Sequence, residues 1–168
     1  MVMMQHLVGS TLPNAELPAT DGTTVNPAHL KGRAAIFCFP YTGRPGVADP
    51  PDWDNIPGAH GSTAQAQAYS RLYDSFTTQN VRLFGLSFQD TAWQMEFVRR
   101  QHLRFSLLSD AGRDFATALA LPVFTAGQHT YLKRLTLIVS DGVIVALRFP
   151  VPVPENDAAE TLALLQAR

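Results

Sequence analysis

Four apolar runs constrain this chain more than any other feature: residues 34–39, 81–88, 135–139 and 143–149. Each is nearly continuous rather than alternating, which is how a strand reads when both of its faces are covered. Segments of helical length and mixed polarity lie between them at 63–77 and 92–102, with a shorter one at 113–119. Glu155, Asn156 and Asp157 follow Pro154 and open a last amphipathic helix to about Gln166, with acids where the helix dipole favours them. Strands alternating with helices, plus a tight turn at Ser140-Asp141-Gly142, predict an α/β fold with a mixed central sheet flanked by helices. At 168 residues, 46% apolar and 16% charged, the chain reads as one packed domain over 1–168.

Ahead of the first long run, Asp21-Gly22 sits between two short β-forming stretches, the sign of an N-terminal β-hairpin. Asn26-Pro27 and Gly32 then bracket one helical turn, with His29 on its surface. Residues 41–61 are rich in Pro, Gly and Asp and have no usable periodicity. A loop of that length in a compact domain is often functional.

Several classes are disfavoured. Thirteen Lys and Arg against fourteen Asp and Glu give a net charge of −1, and no basic run exists to track phosphates, so nucleic acid is not an expected partner. No stretch of about 18 apolar residues suggests a membrane span, and the start of the chain lacks a signal-peptide pattern, which points to a cytoplasmic protein. The lone cysteine, Cys38, excludes an intramolecular disulfide and any Cys-x-x-Cys pair. Its place in the middle of an apolar run makes it a small buried hydrophobe. His6, His29, His60, His102 and His129 show no metal-ligand spacing, and Gly43-Arg44-Pro45-Gly46 lacks the Gly-Lys-Ser/Thr ending of a phosphate loop, so neither metal nor cofactor is expected. His60 lies near Ser62, yet the Gly-x-Ser-x-Gly elbow of a serine hydrolase is absent. Trp53 and Trp93 read as packing residues, with Trp53 alternatively covering a pocket.

An ordered set of short matches then carries a resemblance. Leu12-Pro13, Leu17, Asp21-Gly22, Val25 and Leu30-Lys31-Gly32 are followed by Phe39-Pro40, by Gly85-Leu86-Ser87-Phe88-Gln89-Asp90 and by Leu107-Leu108-Ser109-Asp110. Ser62-Thr63-Ala64-Gln65-Ala66-Gln67-Ala68-Tyr69 with Leu72-Tyr73 keeps the spacing of a helix that begins Cys-Thr-x-Glu-x-Cys. Across nearly its whole length the chain resembles peroxiredoxins of the thioredoxin superfamily, and most closely the bacterioferritin-comigratory, or peroxiredoxin Q-like, branch. Within it, Thr42-Gly43-Arg44-Pro45-Gly46 and Ile56-Pro57-Gly58-Ala59-His60-Gly61 look like an inserted active-site loop and its lead-in.

The resemblance implies a thiol-dependent peroxidase acting on hydrogen peroxide or organic hydroperoxides, with Ser62 in the place of the peroxidatic cysteine and Gln67 where some members carry a resolving one. It implies that Arg134 points at the nucleophile and polarises the peroxide, that Thr42 supplies a hydroxyl to the site and that Pro40 shields it. In a rival alignment Arg44-Pro45-Gly46-Val47 takes the place of the family's Thr-Pro-Gly-Cys; in both the cysteine is missing. With no resolving cysteine, an active form would be a one-cysteine enzyme served by an external thiol, thioredoxin, glutaredoxin or a small thiol, and would be a monomer or homodimer.

The chemistry asks for an ionised sulfur. A helix N-terminus and a nearby guanidinium both lower a thiol's pKa, and the thiolate attacks the O–O bond to give a sulfenic acid. A serine hydroxyl is far less acidic and has no sulfenic step, so the chain as it stands is expected to be inactive. Ser62 also has a structural reading, since Ser-x-x-Gln is a capping-box pattern with Gln65. The serine is read as an engineered Cys→Ser replacement, with a natural pseudo-peroxiredoxin that binds or regulates as the alternative.

Overall fold

A computed structural model of the chain describes residues 4–168; the first three, part of the N-terminal stretch read above for a signal sequence, lie outside them. The N-terminal hairpin forms from β1 (Leu17–Pro18) and β2 (Thr24–Val25), which are antiparallel. Its turn is held by Asp21 Oδ1, which accepts from the Thr23 amide at 3.0 Å, while Gly22 takes the left-handed φ of +87°. Asn26 caps a single 3-10 turn through its side chain, with Pro27 at the first position, and His29 is exposed.

The first long apolar run becomes β3 (Arg33–Cys38), followed after the loop by α1 (Ser62–Arg71), α2 (Tyr73–Thr78) and β4 (Val81–Ser87). Next come α3 (Thr91–Gln101), β5 (Ser106–Ser109), α4 (Asp114–Leu119), β6 (Val123–Ala126) and β7 (His129–Leu132). The chain closes with β8 (Leu135–Ser140), β9 (Val143–Arg148) and α5 (Asp157–Gln166). Five strands make one sheet in the order β5-β4-β3-β8-β9, with β3, β4 and β5 parallel and β8 and β9 antiparallel to their neighbours.

Central β3 shows why its run is apolar throughout. Successive side chains point to opposite faces of a strand, so Ala34, Ile36 and Cys38 enter one core cluster while Ala35 and Phe37 enter the other. The second cluster is roofed by Tyr69 of α1, Phe76 of α2, Phe97 of α3 and Leu165 of α5. Tyr69 stacks on Phe37 with ring centroids 4.3 Å apart. Gly85 pairs with Phe37 across the parallel ladder, and a Cβ there would lie 2.9 Å from the Phe37 ring and 2.5 Å from Leu107, so the position admits no side chain.

Both outer strands are covered by the same N-terminal segment. Leu12 and Gly9 donate to Gly142 and Ile144 carbonyls of the β9 edge, and Ile144 donates to Ser10. Seven residues past Leu12 the segment reaches the opposite edge, where Ala19 bridges Leu108 and Thr20 exchanges hydrogen bonds with Leu107. Between the two edges Leu12, Leu17 and Ala19 pack onto the first cluster with Phe115 and Leu119 of α4.

Two expectations need correction, and one element was not expected. The helix expected over 63–77 is broken at Leu72 (φ −95°, ψ 8°), and Tyr69 and Phe76 pack on the sheet from either side of that break. The β6–β7 hairpin had no clear signal, because its residues are mostly part-exposed and mixed in polarity. It packs against loop 41–61 through Phe124 and Tyr131, which meet Trp53 and Tyr41. Ser62 does not cap α1: that place belongs to Gly61, in the left-handed region at φ +116°, and no side chain caps the helix.

Candidate active site

Position 62 is set by three backbone choices. Pro40 follows the end of β3 and turns the chain into the loop. Gly61 caps α1 at a point where a Cβ would lie 2.7 Å from the Pro154 ring, so Pro154 seals the helix start against a residue without a side chain. Ser62 is then the first residue of α1, at the positive end of the helix dipole.

Arg134, immediately before β8, completes the arrangement. Its Nη1 donates to Ser62 Oγ at 3.0 Å and to Gln65 Oε1 at 2.9 Å. Its Nη2 donates to the Ala59 and His60 carbonyls at 3.0 and 2.9 Å. Ser62 and Arg134 are each 5% exposed. Burial pulls the Arg134 guanidinium down to about 10, with Asp157 acting in the opposite sense, so it remains cationic at neutral pH. Arg134 Nε is buried with no hydrogen-bond partner among the described residues.

Ser62 opens onto a cleft of ≈ 330 Å³ whose walls include Tyr41, Trp53 and His60. Arg134 is not part of that lining, and its hydrogen bond to Ser62 Oγ connects it to the cleft wall. Trp53 does what either reading asked, packing on Ala59 and Ala126 while forming part of the cleft wall. Burial, and then the nearby Asp49, push the Tyr41 phenol above its ordinary value. A larger groove of ≈ 960 Å³, lined by Arg82, Arg104 and Tyr73, opens at the start of β4 rather than its end. Sites on parallel strands form at their carboxyl ends, where Pro40 and Ser87 lie, so the smaller cleft is the functional candidate.

The structure brings Ser62 and Arg134 together and holds Thr42 elsewhere. The Thr42 hydroxyl donates to Gln89 Oε1 at 3.1 Å, and its carbonyl accepts from Trp93 Nε1 at 2.7 Å and from Gln89 Nε2. The capping-box reading of Ser62 and Gln65 is corrected too, because a buried guanidinium supplies Ser62 Oγ and Gln65 Oε1 with a charge-assisted donor. Arg134 is no surface ion-pair residue. Val47, the rival nucleophile position, is 47% exposed. His60 is exposed and turned to Asp54, its Nε2 being 2.6 Å from Asp54 Oδ1. Gln67 is exposed and donates to Gln101. Cys38 lies fully buried in the sheet, where burial, with Asp110 adding to it, pushes its thiol far above the ordinary range.

Sequence reasoning missed Asp157. This fully buried carboxylate accepts from Gln65 Nε2 at 3.1 Å, from Tyr69 and Thr136 hydroxyls at 2.6 Å each and from Arg148 Nε at 2.8 Å. A signal was present in the four-residue spacing of Gln65 and Tyr69, which puts two polar groups on one helix face.

A five-stranded mixed sheet, with a helix N-terminus and a buried arginine converging on one side chain, defines the peroxiredoxin type of thioredoxin fold. The chain belongs to the Redoxin family, whose model matches residues 7–165, and within it to the peroxiredoxins of the bacterioferritin-comigratory and peroxiredoxin Q branch. It is 31% identical over 160 residues to the chloroplastic peroxiredoxin Q of Oryza sativa subsp. japonica, covering 95% of this chain. Over 159 residues it is 29% identical to that of Triticum aestivum. It spans 66% of the length of each of these plant proteins. The crystal structure of a Cys→Ser mutant of Xylella fastidiosa PrxQ superposes with a TM-score of 0.76 at 22% identity, covering 95% of both chains. Peroxidoxin BcpB from Mycobacterium tuberculosis gives 0.75 at 21% identity, over 95% of this chain and 96% of the other.

Proposed function

We propose that the fold carries the active site of a thiol-dependent peroxidase whose nucleophile position is Ser62, and that the chain with serine there binds peroxide without reducing it. The observation that carries this reading is the 3.0 Å hydrogen bond from the buried Arg134 to Ser62 Oγ at the N-terminus of α1. A helix dipole and a guanidinium aimed at one side-chain atom are what a thiolate needs and a neutral hydroxyl does not.

With sulfur at position 62 the thiolate attacks the distal peroxide oxygen. The S–O bond forms as the O–O bond breaks, and the leaving alkoxide or hydroxide takes a proton to become alcohol or water. The sulfenic acid then condenses with an external thiol, releasing water and leaving a mixed disulfide, and a second external thiol restores the cysteine. Thioredoxin, glutaredoxin or a small thiol fits this role, because Cys38 is walled into the sheet and Gln67 has no sulfur.

One observation favours the pseudo-enzyme reading. Ser62 Oγ already accepts the hydrogen bond of the buried Arg134, so the arginine has a partner at position 62 without sulfur. Ser62→Cys in a thiol-coupled assay decides the function: reduction of hydrogen peroxide or an alkyl hydroperoxide is expected, and a folded Ser62→Cys protein with no turnover overturns the peroxidase reading. The source codon at position 62 separates engineered from natural serine.

A further inference from the structure

Arg134 is a buried cation that meets only neutral acceptors: Ser62 Oγ, Gln65 Oε1 and the carbonyls of Ala59 and His60. Among the described residues it makes no direct ion pair, unlike Arg148, which pairs with Asp157 at 2.8 Å. A buried charge without a counter-charge is costly. We propose that Asp157 is that counter-charge, delivered through the Gln65 amide, and that Gln65 and Asp157 are positioning residues that aim Arg134 at the side chain of residue 62 without neutralising it.

The geometry of the amide carries the proposal. Asp157 is fully buried and surrounded by donors, since Gln65 Nε2, the Tyr69 and Thr136 hydroxyls and Arg148 Nε all point hydrogen at it. A carboxylate can only accept, and a guanidinium can only donate. Gln65 stands between the two, and one orientation satisfies both: Nε2 to Asp157, Oε1 to Arg134. The flipped amide would set its N–H groups against the guanidinium and its oxygen against the carboxylate. Asp157 therefore locks the Gln65 rotamer, and the locked oxygen holds Arg134 Nη1 where it reaches position 62.

The amide also keeps the charges apart. Placed one amide away, the Asp157 carboxylate compensates the buried cation while Arg134 keeps its hydrogen bonds to Ser62, Ala59 and His60. Charges alternate along the whole line, from Arg134 through Gln65 to Asp157, then Arg148 and Glu160. The line joins the residue before β8 to α1, α5 and β9, so the last helix of the chain is part of the apparatus that orients the arginine.

The bearing of this relay on chemistry rests on the peroxidase reading, but the relay itself is testable in the chain as it stands, by NMR of the Gln65 side-chain amide and the Arg134 guanidinium. In Asp157→Asn the Gln65 amide loses its fixed orientation, and guanidinium proton exchange is expected to rise about tenfold or more, the effect of losing one charge-assisted hydrogen bond. A folded Asp157→Asn protein with both signals unchanged overturns the proposal. Should that variant fail to fold, Gln65→Leu leaves Asp157 its other donors, Tyr69, Thr136, Thr161 and Arg148, and is judged on the same exchange of Arg134.

The second readout is the thiol of Ser62→Cys, followed by thiolate absorbance against pH. Adding Asp157→Asn is expected to lower the thiolate-to-thiol ratio at a given pH about tenfold, one pKa unit upward, because the arginine is no longer aimed. A carboxylate acting by charge alone would give the opposite shift, and a purely structural one none; either result overturns the relay. An ordinary thiol in Ser62→Cys itself, with the NMR changes as expected, counts against the peroxidase reading and leaves the relay standing.

Discussion

Cys38 and Ser62 are a sulfur and a hydroxyl that have changed places relative to the chemistry each environment supports. Cys38 sits in the central strand, fully buried, with burial and the Asp110 charge driving its thiol far above the ordinary range. Ser62 sits at a helix start facing a cleft, with a guanidinium 3.0 Å from its oxygen. The sulfur is where a thiolate cannot form, and oxygen stands where a helix start and a guanidinium would favour one. Reactivity belongs to the surroundings, so the residue type at either position is a poor guide to where the active site lies.

The largest test of that contrast exchanges the atom. Ser62→Cys is expected to raise thiol-driven peroxide reduction about 10⁴-fold or more over the unsubstituted chain, ~5.5 kcal/mol of barrier, measured by loss of peroxide. Arg134→Ala in the Ser62→Cys background should then cost about 10²–10³-fold, as removal of a preorganised charge stabiliser does. Thiol labelling of the Ser62→Cys protein comes next: with an aromatic disulfide reagent in native buffer, the introduced thiol should react at once and Cys38 about 10³-fold more slowly or not until denaturant is added. Fast labelling of Cys38 in the folded protein would dissolve the contrast.

Smaller effects sharpen it on the stability side. Cys38→Ser buries a hydroxyl in an apolar strand and should cost about 1–3 kcal/mol by urea denaturation, more than the equally small change Ser62→Cys. The smallest concerns Asp110. Burial holds its carboxyl above the ordinary 3.8, against the opposing pull of the Ala116 and Phe115 amides. The fold therefore keeps that proton to higher pH than the unfolded chain does. Its contribution is full below 3.8 and lost as pH rises through the folded value, and Asp110→Asn should flatten that slope in urea midpoints taken across mildly acidic pH.

Much of the fold was legible because buried strands write continuous apolar runs. β3, β4, β8 and β9 fall within a residue or two of the runs that forecast them. The β6–β7 hairpin was not, because its job is to hold a loop, and exposed residues such as Thr125 and His129 carry no strong period. Within the site, Ser62 and Arg134 were legible through the spacing of a family helix and strand. Gln65 and Asp157 were not assigned these roles, since a hydrogen bond between residues ninety-two apart leaves no local pattern, and Ser-x-x-Gln imitates a cap. Thr42 shows the reverse error: a hydroxyl in the right stretch of sequence, turned to Gln89 by a loop whose path the sequence does not state.

The segment that runs from Gly9 to Thr20 has a consequence for how this molecule behaves in company. An open five-stranded sheet offers two rows of unpaired backbone groups, each a template on which another chain can add a strand. Here one strip of chain occupies part of both rows, at Gly142 and Ile144 on one side and at Leu107 on the other. Loss or displacement of that single strip would uncover both borders together, so resistance to aggregation in this protein is vested in about a dozen residues that touch no reacting atom.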